Sequence, residues 1–412
     1  MNINESSCFQ NDNYQILDLS KDNIISLKNL RNLKKTKDQK IVLIAIGFIE
    51  FLLILSLCFY IIFKKKKNQC NDITISKEDN LKIYENALKN NNFNNIKEVK
   101  NLFLYHEDNI TNYQAKNKIH ISMALDNNAI YPTLVSMTSS LENCNKTNNI
   151  LIYYLLLSFD FSIDKIEIFE SLKKHYKVVI NYYIIPNIFT NISKWKDSYT
   201  VYYKLLLPLM FPNIERMIFL DGDTLIFKDI LEMYQLDFKD KYILGYPFHS
   251  REVFERLKKT SKYYINAGVL LMNLSKMRES NLDLEVLLYT IKNSEKFSFL
   301  EQDTINIIYA GKIGLLPLKY GIYLIGSLKI FKKYYLPSFK HKINLNKLMK
   351  AIKNPSIVHL VCCNPKVWYY DTSHENQAND MCKRFQKDFY FYAKKTDYYS
   401  EIYSLYMLND IY

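Results

Sequence analysis

Glycine is in short supply in this 412-residue chain: 8 residues, against the ~7% usual for proteins. Collagen-like repeats and Gly/Ser linkers are thereby excluded. Seven cysteines over this length do not make a small disulfide scaffold. No C-x-x-C pair occurs, so a cysteine zinc site is not expected. The patterns G-x-x-x-x-G-K-[ST], G-x-G-x-x-G, G-x-S-x-G and H-E-x-x-H are also missing. This removes a P-loop, a dinucleotide fingerprint, a nucleophile elbow and a zinc-protease helix. What is present is 48% hydrophobic and 15% aromatic, enough for a large core and against global disorder. The length leaves room for one large or two modest domains. A net charge of +13 would suit nucleic acid, anionic membrane or phosphate. The lysines are spread through a chain rich throughout in Lys, Asn, Ile and Tyr, and no nucleic-acid partner is expected.

One long apolar run stands out. Residues 41–63 (IVLIAIGFIEFLLILSLCFYIIF) are long enough to span a bilayer core with some tilt. Glu50, mid-segment, costs about 2.5–3.5 kcal/mol on insertion scales, and seventeen Ile, Leu, Val and Phe residues outweigh it at about 0.3–0.6 each. Glu50 reads as a tolerated protonated or snorkelling group, with helix pairing or sorting as the alternative. The run begins too late and is too long for a cleaved signal peptide. Seven Lys/Arg in residues 21–40 and six in 64–83 barely decide orientation. The expectation is a single-pass type II protein: a cytosolic tail (1–40), an anchor (41–63), a polar stem (64–118), a folded domain (119–370) and a helical C-terminal extension (371–412). A Golgi or ER lumen would then hold the folded part. Sequons at Asn109, Asn145 and Asn191 suit a lumenal surface but arise by chance in an Asn-rich chain.

Strands and helices alternate in the folded part. Residues 119–125, 150–157, 177–185 and 216–220 read as strands; 131–142, 163–175 and 199–210 read as helices, the first with Pro132 in its first turn. This predicts a doubly wound α/β fold with a mostly parallel sheet flanked by helices. Ligands in such sheets bind beyond the C-terminal strand ends. Both LDNN (125–128) and LDGD (220–223) fall there. Asp221 and Asp223, two apart, offer hard oxygens that could meet one Mg²⁺ or Mn²⁺, and that ion could hold a diphosphate. Gly222 would allow close approach of a ligand to the backbone. Taken alone, D-G-D also reads as an acidic turn closing a strand.

Several further segments, in order, change the balance: ALDNNAIYP, YYKLLLP, FLDGDTLIF, KYYINAGVLLMNLSKMR, FLEQDTIN and IVHLVCCNPKVWYY. Together they resemble the family 8 glycosyltransferases over residues 119–370. That family comprises retaining enzymes of GT-A fold that use nucleotide sugars. By that resemblance Asp126 and Asn128 contact the uracil and ribose of a UDP-sugar. Lys204 replaces an Arg that contacts the donor. Asp221 contacts ribose and metal, and Asp223 and His359 complete the metal site. Asn266, Ala267 and Gly268 line the sugar pocket. Gln302 sits beside the anomeric carbon; Glu301 replaces the family's Asp; Asp303 touches the sugar or supports a residue that does. Lys366 reaches the diphosphate and Trp368 closes the site. Cys362 stands where the family has Gly, and Val367 where it has Pro. Each position also has a plainer reading: an Asx turn at Asp126, a solvated Lys204, a Gly-kinked strand at Gly268, a helix N-terminus at Gln302, a core histidine at His359.

The resemblance implies a membrane-anchored, retaining, Mn²⁺- or Mg²⁺-dependent hexosyltransferase. It would take UDP-glucose or UDP-galactose to a glycan, lipid or protein acceptor. The rival readings are a non-catalytic nucleotide-sugar-binding or structural membrane protein of the same fold, and an inverting enzyme. Loops 246–262 and 326–350 are expected to shape the acceptor side.

Overall fold

The computed structural model describes residues 104–108, 115–185, 189, 192–248, 263–323, 345–361, 366–368 and 380–408. All belong to one compact unit, Asp72–Tyr412. The expected tail and anchor, most of the stem, Cys362 and most of the two acceptor-side loops lie outside the described residues. Among the described residues no helix is long and apolar enough to cross a membrane.

In chain order the main elements are β1 (Leu104–His106), β2 (Asn117–Leu125), α1 (Ile130–Asn143), β3 (Asn149–Leu157), β4 (Val178–Ile184), β5 (Arg216–Leu220), β6 (Thr224–Ile226), β7 (Ile243–Pro247), β8 (Ile265–Asn273), α2 (Leu282–Asn293), α3 (Leu300–Ile308), β9 (Ile313–Leu315), β10 (Tyr320–Tyr323), α4 (Leu345–Lys353), β11 (Ile357–His359), α5 (Asp380–Ala393) and α6 (Tyr399–Leu408). One sheet has the order β1-β4-β3-β2-β5-β8-β7-β9; a second has the order β10-β11-β6. β4, β3, β2 and β5 run parallel. β8 is antiparallel to both β5 and β7. All nine residues of β3 (NILIYYLLL) are buried, as expected of a strand covered on both faces.

Two apolar layers sandwich the large sheet. One joins alternate residues of β2 and β3 to α1, β6, β11 and the C-terminal helices. The other joins the opposite faces to the segment 199–211, β8, α2 and α3. The helix expected over 163–175 is broken into 3₁₀, α and 3₁₀ pieces, and that over 199–210 is mostly 3₁₀. Tyr202, Tyr203, Leu205 and Leu206 are all buried along this tighter-wound stretch.

The fold starts before Ile119. β1, inside the stretch read as stem, pairs antiparallel with β4. Asp108 fastens it by accepting from Ile180 N (3.0 Å) and pairing with Lys173 (2.7 Å). The C-terminal helices belong to the core as well. Phe385, Phe389, Tyr392, Ala393 and Ile402 are buried in the first layer, and Tyr392 OH accepts from Asn143 Nδ2 of α1 at 2.8 Å.

Candidate metal and donor site

Strand register assembles the site. Leu220 pairs with Val269, so the chain leaves β5 with Asp221 N donating to Gly268 O at 2.8 Å. After the D-G-D turn, Thr224 begins β6 directly opposite His359 of β11. Leu360 N then donates to Asp223 O at 2.8 Å. Residues far apart in sequence are thus fixed by main-chain pairing before any side chain acts.

The donor atoms of Asp221, Asp223 and His359 all lie within 4.8 Å of one another. His359 Nε2 is 3.0 Å from Asp223 Oδ1 and 3.5 Å from Asp221 Oδ2. It is buried and makes no hydrogen bond. A buried ring nitrogen aimed between two carboxylates without bonding to either has the geometry of a ligand atom. Gly268 forms the floor. A Cβ there would lie 2.8 Å from His359 Nδ1 and closer still to His359 Cε1 and Asp221 Oδ2. Two carboxylate oxygens and one imidazole suit Mn²⁺ or Mg²⁺, so the residues present fit a divalent ion. Lys366 Nζ lies 2.6 Å from Asp223 Oδ2 and 3.1 Å from Leu360 O. Burial alone would raise the Asp223 carboxyl. The Lys366 ammonium beside it outweighs burial and holds the group well below the usual carboxylate range.

The second cluster is the buried Lys204. Its ammonium lies 3.0 Å from Glu301 Oε1, 3.1 Å from Ala267 O and 3.6 Å from Asp221 Oδ1, over the Phe219 ring. The solvated reading of Lys204 is therefore wrong: its side chain is 1% exposed. Burial would lower its pKa, but Asp221 and Glu301 more than offset this and the ammonium stays charged. Glu301 moves up: burial raises it most, Lys204 opposes, and the like charge of Asp221 raises it further.

The third cluster surrounds Gln302. Its Oε1 accepts from Ala267 N (3.1 Å) and Asn266 Nδ2 (3.0 Å); its Nε2 donates to Tyr264 OH at 3.1 Å. Tyr264 OH donates to Asp303 Oδ1 at 2.7 Å, and Asp303 Oδ2 accepts from Phe299 N at 3.0 Å. Asp303 is fully buried and reaches Gln302 through Tyr264. Leu300, at φ +44°, occupies the left-handed region just before Glu301 and Gln302, a conformation costing about 1–3 kcal/mol that clusters at functional sites.

Asp126 and Asn128 stand at the end of β2, parallel to β5, and so on the same side of the sheet as Asp221. Asp126 Oδ1 accepts from Asn128 N at 2.9 Å, which is the Asx turn of the plainer reading. No hydrogen bond or ion pair joins either residue to the metal cluster among those described. Trp368 is buried, with Lys366 Nζ 5.6 Å from its ring centre.

Tyr264 and Asn306 carry weight that the motif reading did not assign them. Asn306 Oδ1 accepts from Ile265 N (2.8 Å), and its Nδ2 donates to Ile265 O (2.9 Å) and Gln302 O (2.7 Å), joining α3 to β8. Two sequence signals were there. Strand alternation puts Tyr264, Asn266 and Gly268 on one face, and helix spacing puts Asn306 one turn after Gln302.

Comparison with known proteins places this geometry. The family model described as Glycosyl transferase family 8 matches residues 120–372, more than half of the chain. A putative glycosyltransferase of Haemophilus influenzae is 25% identical over 59% of this chain and 70% of its own. A lipopolysaccharide 1,2-glucosyltransferase of Escherichia coli is 27% identical over 50% of this chain; the match spans 64% of that relative. Among solved structures, a galactosyltransferase, LgtC, in complex with donor and acceptor sugar analogs superposes with a TM-score of 0.53 at 16% identity, covering 68% of this chain and 96% of that one. That likeness establishes the α/β GT-A-like fold.

Proposed function

Because the chain belongs to glycosyl transferase family 8, we propose that it is a retaining hexosyltransferase. It moves glucose or galactose from a UDP-sugar to a hydroxyl of a glycan, lipid or protein acceptor, with Mn²⁺ or Mg²⁺ held by Asp221, Asp223 and His359. The observation that carries this reading is the buried, unbonded His359 Nε2 between two carboxylates above Gly268. A glucosyltransferase and a galactosyltransferase among the similar proteins support a hexose.

A bound divalent ion supplies Lewis-acid stabilisation of the departing diphosphate. The chain's own residues do the rest. Lys366, already beside Asp223, adds a second positive charge on the diphosphate side. Asp126 and Asn128 close the strand end where the nucleoside would lie. Asn266, Ala267 and Gly268 wall the sugar. Gln302 meets it through an N–H, because its oxygen is held by two donors. The Lys204–Glu301 pair forms the polar wall behind Ala267. Residues 41–63 anchor the enzyme as a single-pass type II protein of the Golgi or ER.

The test uses the full chain in detergent. UDP release is measured from UDP-glucose and UDP-galactose, with and without Mn²⁺, beside Asp223→Asn. Metal-dependent release from one donor, lost in Asp223→Asn and giving product of retained anomeric configuration, is the expected result. No release and no UDP binding by calorimetry would replace the reading with that of a structural protein of this fold.

A further inference from the structure

The polar contacts around Asn266 can be oriented without ambiguity, because backbone N–H groups fix them. Gly268 N–H donates to one oxygen of the Asn266 side chain at 2.9 Å, so that atom is Oδ1. The other end is then Nδ2, and it donates to Gln302. Ala267 N–H donates to the same Gln302 atom, which must therefore be Oε1. That leaves Gln302 Nε2 to donate to Tyr264 OH, whose proton goes to Asp303. On the opposite side, Asn266 Oδ1 lies 3.0 Å from His359 Nδ1. An acceptor facing a ring nitrogen requires a proton on that nitrogen. In the neutral imidazole the remaining nitrogen, Nε2, is then bare.

We propose that Asn266 is a positioning residue with two outputs. Its oxygen fixes His359 as the Nδ1–H tautomer, so the Nε2 lone pair points between Asp221 and Asp223. Its amide nitrogen helps lock Gln302 with the oxygen inward, so Gln302 offers a ligand only N–H. One side chain thus sets both the metal ligand and the sugar-facing amide. The metal output rests on the proposed function; the tautomer does not.

The test has three readouts on the full chain in detergent. [¹⁵N]Histidine NMR of the metal-free protein, with the ring neutral and His359 assigned by loss of its signal in His359→Gln, should show a protonated Nδ1 and a bare Nε2. Asn266→Asp keeps the oxygen and should keep that tautomer, without weakening Mn²⁺ binding followed by paramagnetic resonance. Asn266→Leu should mix the tautomers and raise the Mn²⁺ dissociation constant about 10–100-fold, the usual loss when a support of a metal-bound histidine is removed. Both variants should lose UDP-sugar turnover, because each removes the N–H that holds Gln302. The proposal is overturned if wild type carries its proton on Nε2, or if Asn266→Leu keeps the wild-type tautomer and metal affinity. Should Asn266→Leu not fold, the wild-type tautomer and the split between binding and turnover in Asn266→Asp decide the matter. Absence of Mn²⁺ binding by wild type would sink the metal reading, and the NMR result would still decide the role of Asn266.

Discussion

Gly268→Ala isolates the metal cradle with a single methyl group. A glycine-to-alanine change at a permissive strand position would stabilise by about 0.4–1 kcal/mol through the unfolded chain. Here the new Cβ would lie 2.8 Å from His359 Nδ1 and closer to His359 Cε1 and Asp221 Oδ2. Ordinary carbon contacts begin near ~3.5 Å, so His359 and Asp221 must each retreat by roughly an ångström. Overpacking of this kind costs about 1–3 kcal/mol, leaving a net loss of up to about 2.5 kcal/mol. The functional effect is larger: a displacement of about an ångström typically costs ~100-fold. Mn²⁺ titration and UDP-sugar turnover should each fall by about that factor, while the melting temperature drops by only a few degrees. Gly311→Ala is the control. Gly311 has φ +78°, and a Cβ there would meet nothing within 4 Å; alanine at this position costs about 1–2 kcal/mol of backbone strain and should leave metal affinity unchanged. If Gly268→Ala binds Mn²⁺ within threefold of wild type, the assignment of the cradle is refuted.

Lys204→Met strands Glu301 and Asp221 without their shared cation; a stability loss of about 3–5 kcal/mol in chemical denaturation is expected. Asp108→Ala removes the clamp on β1, which accepts from Ile180 N and Lys173, at about 1–3 kcal/mol. Burial raises the Asp108 carboxyl, but the Ile180 N–H and Lys173 lower it further, for a net shift below 3.8. Its contribution is therefore complete above that pH and lost as pH falls through the depressed value, so the gap between wild type and variant should be flat above about pH 5 and close below pH 4. Phe389→Ala opens the C-terminal packing, where Phe389 is 1% exposed; about 3–5 kcal/mol should be lost with Mn²⁺ affinity per folded molecule unchanged.

The sequence exposed the central parallel strands and the three residues that the structure brings together as a possible metal site. Continuous apolar runs such as ILIYYLLL mark buried parallel strands whatever their neighbours, and D-G-D followed by a distant H-L-V in family order locates Asp221, Asp223 and His359. It could not expose what register does. That Thr224 faces His359, and that Gly268 lies under His359 and Asp221, depends on the pairing of β6 with β11 and β5 with β8, which no local pattern encodes. The helix period over 199–210 misled because residues 200–206 wind as 3₁₀ within the second apolar layer, and only 207–210 are α-helical. Tyr264 went unassigned because a tyrosine before a strand has no chemistry until its hydroxyl is seen between Gln302 and Asp303.

Two of the four departures from the family pattern, Lys204 for Arg and Glu301 for Asp, face one another. A lysine forfeits the reach and second arm of a guanidinium, while a glutamate extends its carboxylate by about an ångström. The two changes act in opposite directions along one line, and the pair closes at 3.0 Å. The ammonium also reaches the Ala267 carbonyl and lies 3.6 Å from Asp221, so both carboxylates share one buried cation. Coupling of this kind is measurable. Lys204→Arg or Glu301→Asp alone should each lower stability and UDP-sugar turnover, and the double variant should recover part of both, with an interaction energy of about 0.5–3 kcal/mol. Strict additivity would mean that the exchange at 204 and the exchange at 301 are independent losses rather than one compensated change.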